Sequence, residues 1–183
     1  MPFEFHHTIG TLIGRQLSMI IRPYSSADKT EILNLWWAAW HSSSGFPHPR
    51  PLTEWIPRFT ALLEKTETLV VEDRHVLVGF IMINVAENIV EQIFVLPNRQ
   101  RSGIGWQLMQ LAFMRMPQGF SLSVLETSTG PRQFYESLGM QAGDRHLNPF
   151  NGHYEITYST NPAVHPQPRT PRPPAHDAAN RSP

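Results

Sequence analysis

The stretch from Ile93 to Met109, IFVLPNRQRSGIGWQLM, constrains this chain more than any other. Ile93 to Leu96 is apolar and β-prone, as a buried strand should be. Pro97-Asn98 ends that strand, because proline gives no donor to a sheet ladder and asparagine favours turns. From Gly103 an apolar helical pattern begins. A strand, a polar basic turn and a glycine-opened helix together make an anion site. The first N–H groups of a helix lack intrahelical partners and carry the positive end of its dipole. Glycine lets a phosphate approach that backbone, and Arg99 or Arg101 adds charge.

Two familiar phosphate loops fail on the residues present. A P-loop needs Lys-Ser or Lys-Thr after its glycines, and neither follows here. A dinucleotide fingerprint needs a third glycine where this chain has Leu108, too large for close helix–strand packing. Six residues also separate Leu96 from Gly103, too many for the tight first turn of that motif. Glu126 stands where a ribose-binding acid would, but without the fingerprint this is a coincidence.

Composition narrows the function further. A chain of 183 residues holds one domain with a core, plus tails. The formal net charge is zero with no long basic run, which argues against nucleic acid as a partner. No apolar run reaches the roughly 18 residues of a membrane span, and no signal-peptide pattern opens the chain. The absence of cysteine removes thiol nucleophiles, disulfides and thiolate metal sites. No histidine or carboxylate spacing suits a metal, so none is expected. A cytoplasmic location is the expectation.

Residues 1–17 carry no clear period and read as a flexible leader, with Met19 a candidate start. Residues 18–160 read as the folded domain. From 161 to 183 proline dominates and large apolar residues nearly vanish, so this tail is expected to be disordered. Within the domain, Ser18–Arg22 reads as a strand and Ser25-x-x-Asp28 as a helix cap. Ile32, Leu35, Trp36, Ala39 and Trp40 recur as an amphipathic helix stripe. Residues 41–51 read as a loop, and Thr53 as the cap of a second helix with Pro57 in its first turn. Thr68–Glu72 and Val76–Val85 read as a hairpin, with Gly79 marking a bulge. Strand Ile89–Leu96, a helix from Gly103, strand Phe120–Leu125, a helix Arg132–Leu138 closed by Gly139, and two last strands complete the order. The aromatic residues Trp37, Phe46 and Trp55 read either as core or as the lining of a pocket.

The central stretch resembles the acyl-CoA turn of the GNAT N-acetyltransferases. That family has V-x-P, then [QR]-x-x-G-x-[GA] opening a helix. Here these are Val95-Leu96-Pro97, then Gln100-Arg101-Ser102-Gly103-Ile104-Gly105. About 30 residues on, Phe134-Tyr135-Glu136-Ser137-Leu138-Gly139-Met140 is similar to the family's F-Y-E-x-x-G-F segment. The resemblance runs from Met19 to Ser159. It departs where the family often has asparagine and alanine, which are Ser128 and Pro131 here, and in having Arg101 and Ser102 in the turn.

The resemblance implies an α/β fold with a mixed, V-splayed sheet of about seven strands and helices on both faces. It implies acetyl-CoA as co-substrate, lying between the strand ending at Val95 and the strand Leu122–Leu125. The diphosphate would sit on the amides from Arg101 to Gly105, with Gln100, Ser102 and Ile104 in the same turn, and the pantetheine arm on the backbone of Phe94 and Val95. Tyr135 would protonate the departing thiolate. An alkyl amine is only about 0.1% neutral at pH 7, so a base is wanted. Glu91 is the candidate, on the reading that Ile89, Glu91, Ile93 and Val95 share one strand face; Glu87 and His41 stand behind it. The acceptor would be a small-molecule or peptide amine, shaped by the loop His41–Pro51. A non-catalytic acyl-CoA-binding module is the alternative, and a homodimer is left open.

Overall fold

The computed structural model describes residues 7–8, 19–44, 47 and 49–160. In chain order the elements begin with β1 (His7–Thr8), β2 (Met19–Pro23), α1 (Lys29–Ser44) and α2 (Leu52–Lys65). The hairpin β3 (Glu67–Asp73) and β4 (Val76–Asn84) follows, then β5 (Ile89–Val95) and α3 (Ile104–Arg115). The chain continues through β6 (Ser121–Leu125), α4 (Thr129–Ser137), β7 (Gln141–Leu147) and β8 (Tyr154–Ser159). The tail from 161, most of the leader, Phe46 and His48 lie outside the described residues.

The strands form one mixed sheet in the order β1-β2-β3-β4-β5-β6-β8-β7. Seven of them match the expected number, and the two-residue β1 adds an edge through His7↔Ile21 and Thr8↔Ile20. Strands β2 to β5 run antiparallel, as do β6, β8 and β7. The two halves meet at a parallel contact of one registered pair, Ile89↔Ser121. Beyond that pair β5 and β6 part company, so the sheet opens into a V. β4 is buried from Leu77 onward, which is the run expected of a strand covered on both faces.

Each face has its own core. On one, Val78, Ile81 and Ile83 of β4 pack with Ile104, Leu108, Met109 and Ala112 of α3, and with Tyr135 and Leu138 of α4. On the other, Phe80 and Met82 pack with Ile32, Leu35, Trp36 and Ala39 of α1, and with Trp55 and Phe59 of α2. The α1 stripe is thus buried as its period predicts, Trp40 included.

Four local expectations are corrected. The loop placed at 41–51 starts later, because α1 carries His41 to Ser44. Thr53 is not the cap of α2: that position is Pro51, and Pro57 lies inside the helix rather than in its first turn. α4 begins at Thr129, so Gly130-Pro131 sits in its first turn, where proline's missing N–H has no intrahelical acceptor to lose. Arg74 and His75 both hold positive φ, 51° and 66°, the geometry of a tight two-residue hairpin turn.

The Ser25–Asp28 turn forms as read. Asp28 accepts the Ser25 amide at 2.8 Å and a bidentate pair from Arg22 at 2.8 and 2.9 Å. Arg22 also reaches Glu72 at 2.8 Å, which ties β2, β3 and the start of α1 together. The Arg22 guanidinium holds the buried Asp28 carboxyl down from 3.8 to about 2. The unfolded chain therefore binds this proton more tightly. The stabilisation is present above the unfolded value and is lost as pH falls from there through the folded one. Asp28→Asn should cost about 2 kcal/mol at neutral pH and flatten the acid limb of the stability curve, measured by denaturant melts from neutral pH into acid. An unchanged acid limb would contradict this.

Candidate active site

The open end of the V is built by the turn between β5 and α3. Pro97–Arg99 makes one 3-10 turn, Arg101 takes φ 59° and Gly103 takes φ 91°. These left-handed residues reverse the chain so that α3 starts at the mouth of the cleft. Gly103 is the N-cap, and the first return bond runs from Gln107 N–H to its carbonyl at 3.1 Å. The amides of Ile104, Gly105 and Trp106 therefore have no acceptor within the helix. A Cβ on Gly103 would meet nothing within 4 Å, so the backbone is open to a ligand there. The two arginines separate by role. Arg99 pairs with Asp73 at 2.5 Å, and its carbonyl accepts the Ser102 hydroxyl at 2.5 Å. Arg101 makes no ion pair among the described residues and is exposed.

Two glycines allow close packing behind the turn. A Cβ on Gly79 would lie 3.1 Å from the Phe94 carbonyl and 3.2 Å from Cγ2 of Ile104. The Phe134 ring stands 3.4 Å from a Cβ placed on Gly105, so the two sequence motifs meet in space. The bulge expected near Gly79 is one residue earlier, at Val78, which has no partner in the β3 register.

The backbone edge facing the cleft differs from the expectation. Leu96 N–H bonds the Val78 carbonyl at 2.9 Å. Antiparallel ladders alternate, so Phe94 also turns its polar groups toward β4, while those of Val95 and Ile93 point away from it. The cleft edge is thus Ile93 and Val95, not Phe94 and Val95. Gln100 donates its side-chain amide to the Val95 carbonyl at 3.2 Å, which leaves the Val95 N–H.

Glu91 is a second correction. The β4–β5 register runs Ile83↔Val90, then Met82↔Gln92, so Glu91 is an extra residue in β5. This bulge breaks the alternation. Val90 belongs to the α3-side core and Ile93 packs against it, while Glu91 and Gln92 between them turn to the opposite face. Their partners agree: Asn84 Nδ2 donates to Glu91 Oε1 at 3.4 Å, and Trp36 Nε1 on α1 donates to Gln92 Oε1 at 3.1 Å. Glu91 therefore shares no face with Ile93 and Val95; it faces α1. Glu87 sits in the β4–β5 turn with its N–H on Asn84 Oδ1 at 3.3 Å. His41 lies on α1, its ring 6.2 Å from that of Trp37.

Tyr135 is the third correction. The spacing of Phe134 and Leu138, four apart, predicts that these two face the core and that Tyr135 is rotated away from them. Instead Tyr135 is 6% exposed and joins Leu138 in the core, while Phe134 is half-buried over Gly105. Burial raises the Tyr135 phenol well above the ordinary tyrosine range, so it stays protonated at neutral pH. Its ring lies 5.8 Å from that of Tyr158. Tyr158 is fully buried, donates to Glu136 at 2.7 Å and accepts from Arg132 at 3.2 Å. Those two residues flank Tyr135 on α4, so β8 clamps the helix that carries it. Glu126 pairs bidentately with Arg145 at 2.8 and 3.0 Å, which holds its carboxyl below the ordinary range.

The α1-side wall of the opening is aromatic. The Trp36 ring lies 5.2 Å from that of Trp55, tilted by 57°, and the edge of Trp55 meets Phe150 of the β7–β8 loop at 4.5 Å. Arg50 and Arg58 lie 4.9 and 4.7 Å from the Phe150 ring centre, and Arg50 also donates to its carbonyl at 2.7 Å. Trp55 is thus part of the buried core.

The model of the acetyltransferase (GNAT) domain matches residues 64–141, which hold β3 to α4 and both motifs. This chain has the GNAT fold. The apo form of YjaB from Escherichia coli superposes with a TM-score of 0.66 at 18% identity, covering 77% of this chain and 96% of that one. The PaiA N-acetyltransferase of Thermoplasma acidophilum, in complex with coenzyme A, superposes at 0.63 and 18% identity, covering 77% and 98%. YncA from Salmonella typhimurium, with acetyl-CoA, superposes at 0.59 and 15% identity, covering 83% and 98%. At such identities the likeness is one of fold. No curated protein matches the chain in sequence. In the GNAT fold seen here, no helix among the described residues is long and apolar enough to cross a membrane, and no cluster of metal-binding side chains occurs among them.

The Gly79 contacts give a direct test of how tightly β4, β5 and α3 pack. Gly79→Ala should force Phe94 or Ile104 to move and cost about 1–2 kcal/mol. For a domain of this size a drop of roughly 4 °C in melting temperature is expected. No change in the melt would mean the approach is not tight.

Proposed function

We propose that this chain is an acyl-CoA-dependent N-acetyltransferase. It moves the acetyl group of acetyl-CoA to a primary amine of a small molecule or peptide, by direct attack in a ternary complex. One observation carries the reading: the sheet splits beside a helix N-terminus opened by Gly103, and a protonated tyrosine is buried on the helix next to that split. The match of residues 64–141 to the family's domain supports it.

The residues present fit the co-substrate. The first amides of α3 and the exposed Arg101 suit a diphosphate. Gln100, Ser102 and Ile104 complete the turn that holds them. The edge groups of Ile93 and Val95 suit an amide-bearing arm added as a strand. Acetyl-CoA supplies an acyl carbonyl activated by its thioester.

Glu91 removes a proton from the incoming ammonium, directly or through water, and the neutral nitrogen attacks the thioester carbonyl. The Val95 N–H stabilises the oxygen as it gains charge. As the carbon–sulfur bond breaks, Tyr135 gives its phenolic proton to the departing sulfur; the acylated nitrogen passes its extra proton through water to the phenolate, and Glu91 returns its own proton to solvent. Burial without a charged partner keeps that proton in place until a thiolate forms beside it.

Incubation with acetyl-CoA and an amine panel should release free thiol in an amine-dependent way. Tight coenzyme A binding with no thiol from any amine would favour a binding module on the same fold. Tyr135→Phe should lower kcat about 100-fold, within the usual range for a general acid, and leave coenzyme A affinity unchanged. Unaltered turnover in that variant would remove Tyr135 from the chemistry.

A further inference from the structure

The bulge puts two unlike side chains next to each other on the α1 side of the opening. Glu91 is a carboxylate and accepts only. Gln92 carries both an acceptor and donors, and which end faces outward is fixed by its partner. The Trp36 indole N–H can only donate, so the atom it meets at 3.1 Å must be the Gln92 carbonyl. The Gln92 NH2 group is therefore the free end, and it has no partner among the described residues. Both residues are half-buried rather than closed off.

This face is where an acceptor must enter. The turn Gln100–Gly105 and the Phe134–Tyr135 segment lie on the α3 and α4 side, which the coenzyme would occupy. The amine is left the opposite, α1 side. There it meets an acceptor for its ammonium and, one residue along the strand, a pair of donors with a fixed direction.

We infer that the acceptor is an α-amino acyl compound: an amine with a carbonyl on the adjacent carbon, as at a peptide N-terminus or in an amino acid. Glu91 takes the ammonium and the Gln92 NH2 donates to the carbonyl oxygen beside it. An alkylamine or polyamine offers nothing to that donor and leaves it desolvated and unpaired. Gln92 is thus a specificity residue, and Trp36 positions it. The inference rests on the acetyl-transfer reading above.

The test compares alaninamide with the branched alkylamine of the same shape, both rated per unprotonated amine with acetyl-CoA and the full chain. One hydrogen bond to a substrate carbonyl is worth about 10–30-fold in kcat/KM, so alaninamide should lead by about that factor. In Gln92→Leu the ratio should collapse to within about 3-fold, because the donor is gone. Gln92→Glu should reverse it and shift preference toward a diaminoalkane, since a second carboxylate repels a carbonyl and attracts a second ammonium. Equal rates in the unaltered protein, or a preference that survives both substitutions, would overturn the inference while leaving acetyl transfer standing. No thiol release from any amine would overturn acetyl transfer, and this inference with it.

Discussion

A single inserted residue in β5 governs this molecule. With Glu91 out of register, the strand bends just after its one parallel pairing to β6. Had the two strands continued together, the sheet would be closed and would offer no cleft. Because they diverge, Ile93 and Val95 keep backbone groups turned away from β4 in the middle of a sheet. Such groups seek partners when they are taken from water. Gln100 answers one of them locally, and an extended amide-bearing ligand can answer the rest.

The same insertion divides the labour between the two faces. On the α3 side, glycine contacts at Gly79 and Gly105 bring β4, β5, α3 and Phe134 close together behind an open helix start. Tyr158, bridging Arg132 and Glu136, fixes α4 against β8, so Tyr135 is set in the core and not left to swing at the surface. On the α1 side the side chains are aromatic and polar by turns, with Gln92 tied to Trp36, Trp36 packed at a tilt on Trp55, and Trp55 against Phe150. One face sets an open helix start beside the exposed Arg101. The other sets the half-buried polar pair Glu91 and Gln92 beside an aromatic cluster.

Much of this was legible in the chain alone. Proline after an apolar run, then glycines opening a helix, gave the strand–turn–helix without any tertiary information. The stripe Ile32, Leu35, Trp36, Ala39, Trp40 gave α1 because burial selects one helical face. The errors came where one local rule was applied across a break in it. Period two, carried through Glu91, put that residue on the wrong face; the adjacent polar pair Glu91-Gln92 within an apolar strand was the signal of a bulge. Simple helical facing misassigned Phe134 and Tyr135, since the wide contact surface of α4 takes Tyr135 and Leu138 inward and uses Phe134 to cover Gly105. The sequence points to Phe94 where the ladder turns Ile93 to the cleft, because the direction of a backbone group depends on the neighbouring strand's register, which sequence does not carry.

The sequence by itself determined which segments become strand, turn and helix, and that amides and an arginine would gather at the start of α3. These follow from backbone sterics, missing donors and periodic burial, all of which act within a few residues. Only the tertiary structure decided which of Arg99 and Arg101 stays unpaired, which face Glu91 and Gln92 turn to, which end of the Gln92 amide points outward, and how deeply Tyr135 is buried. Three of those depend on a partner far along the chain (Asp73, Trp36, Tyr158) and the fourth on the register of the β4–β5 hairpin, which sets Asn84 beside Glu91; such pairings are fixed by packing and register, not by immediate neighbours in sequence.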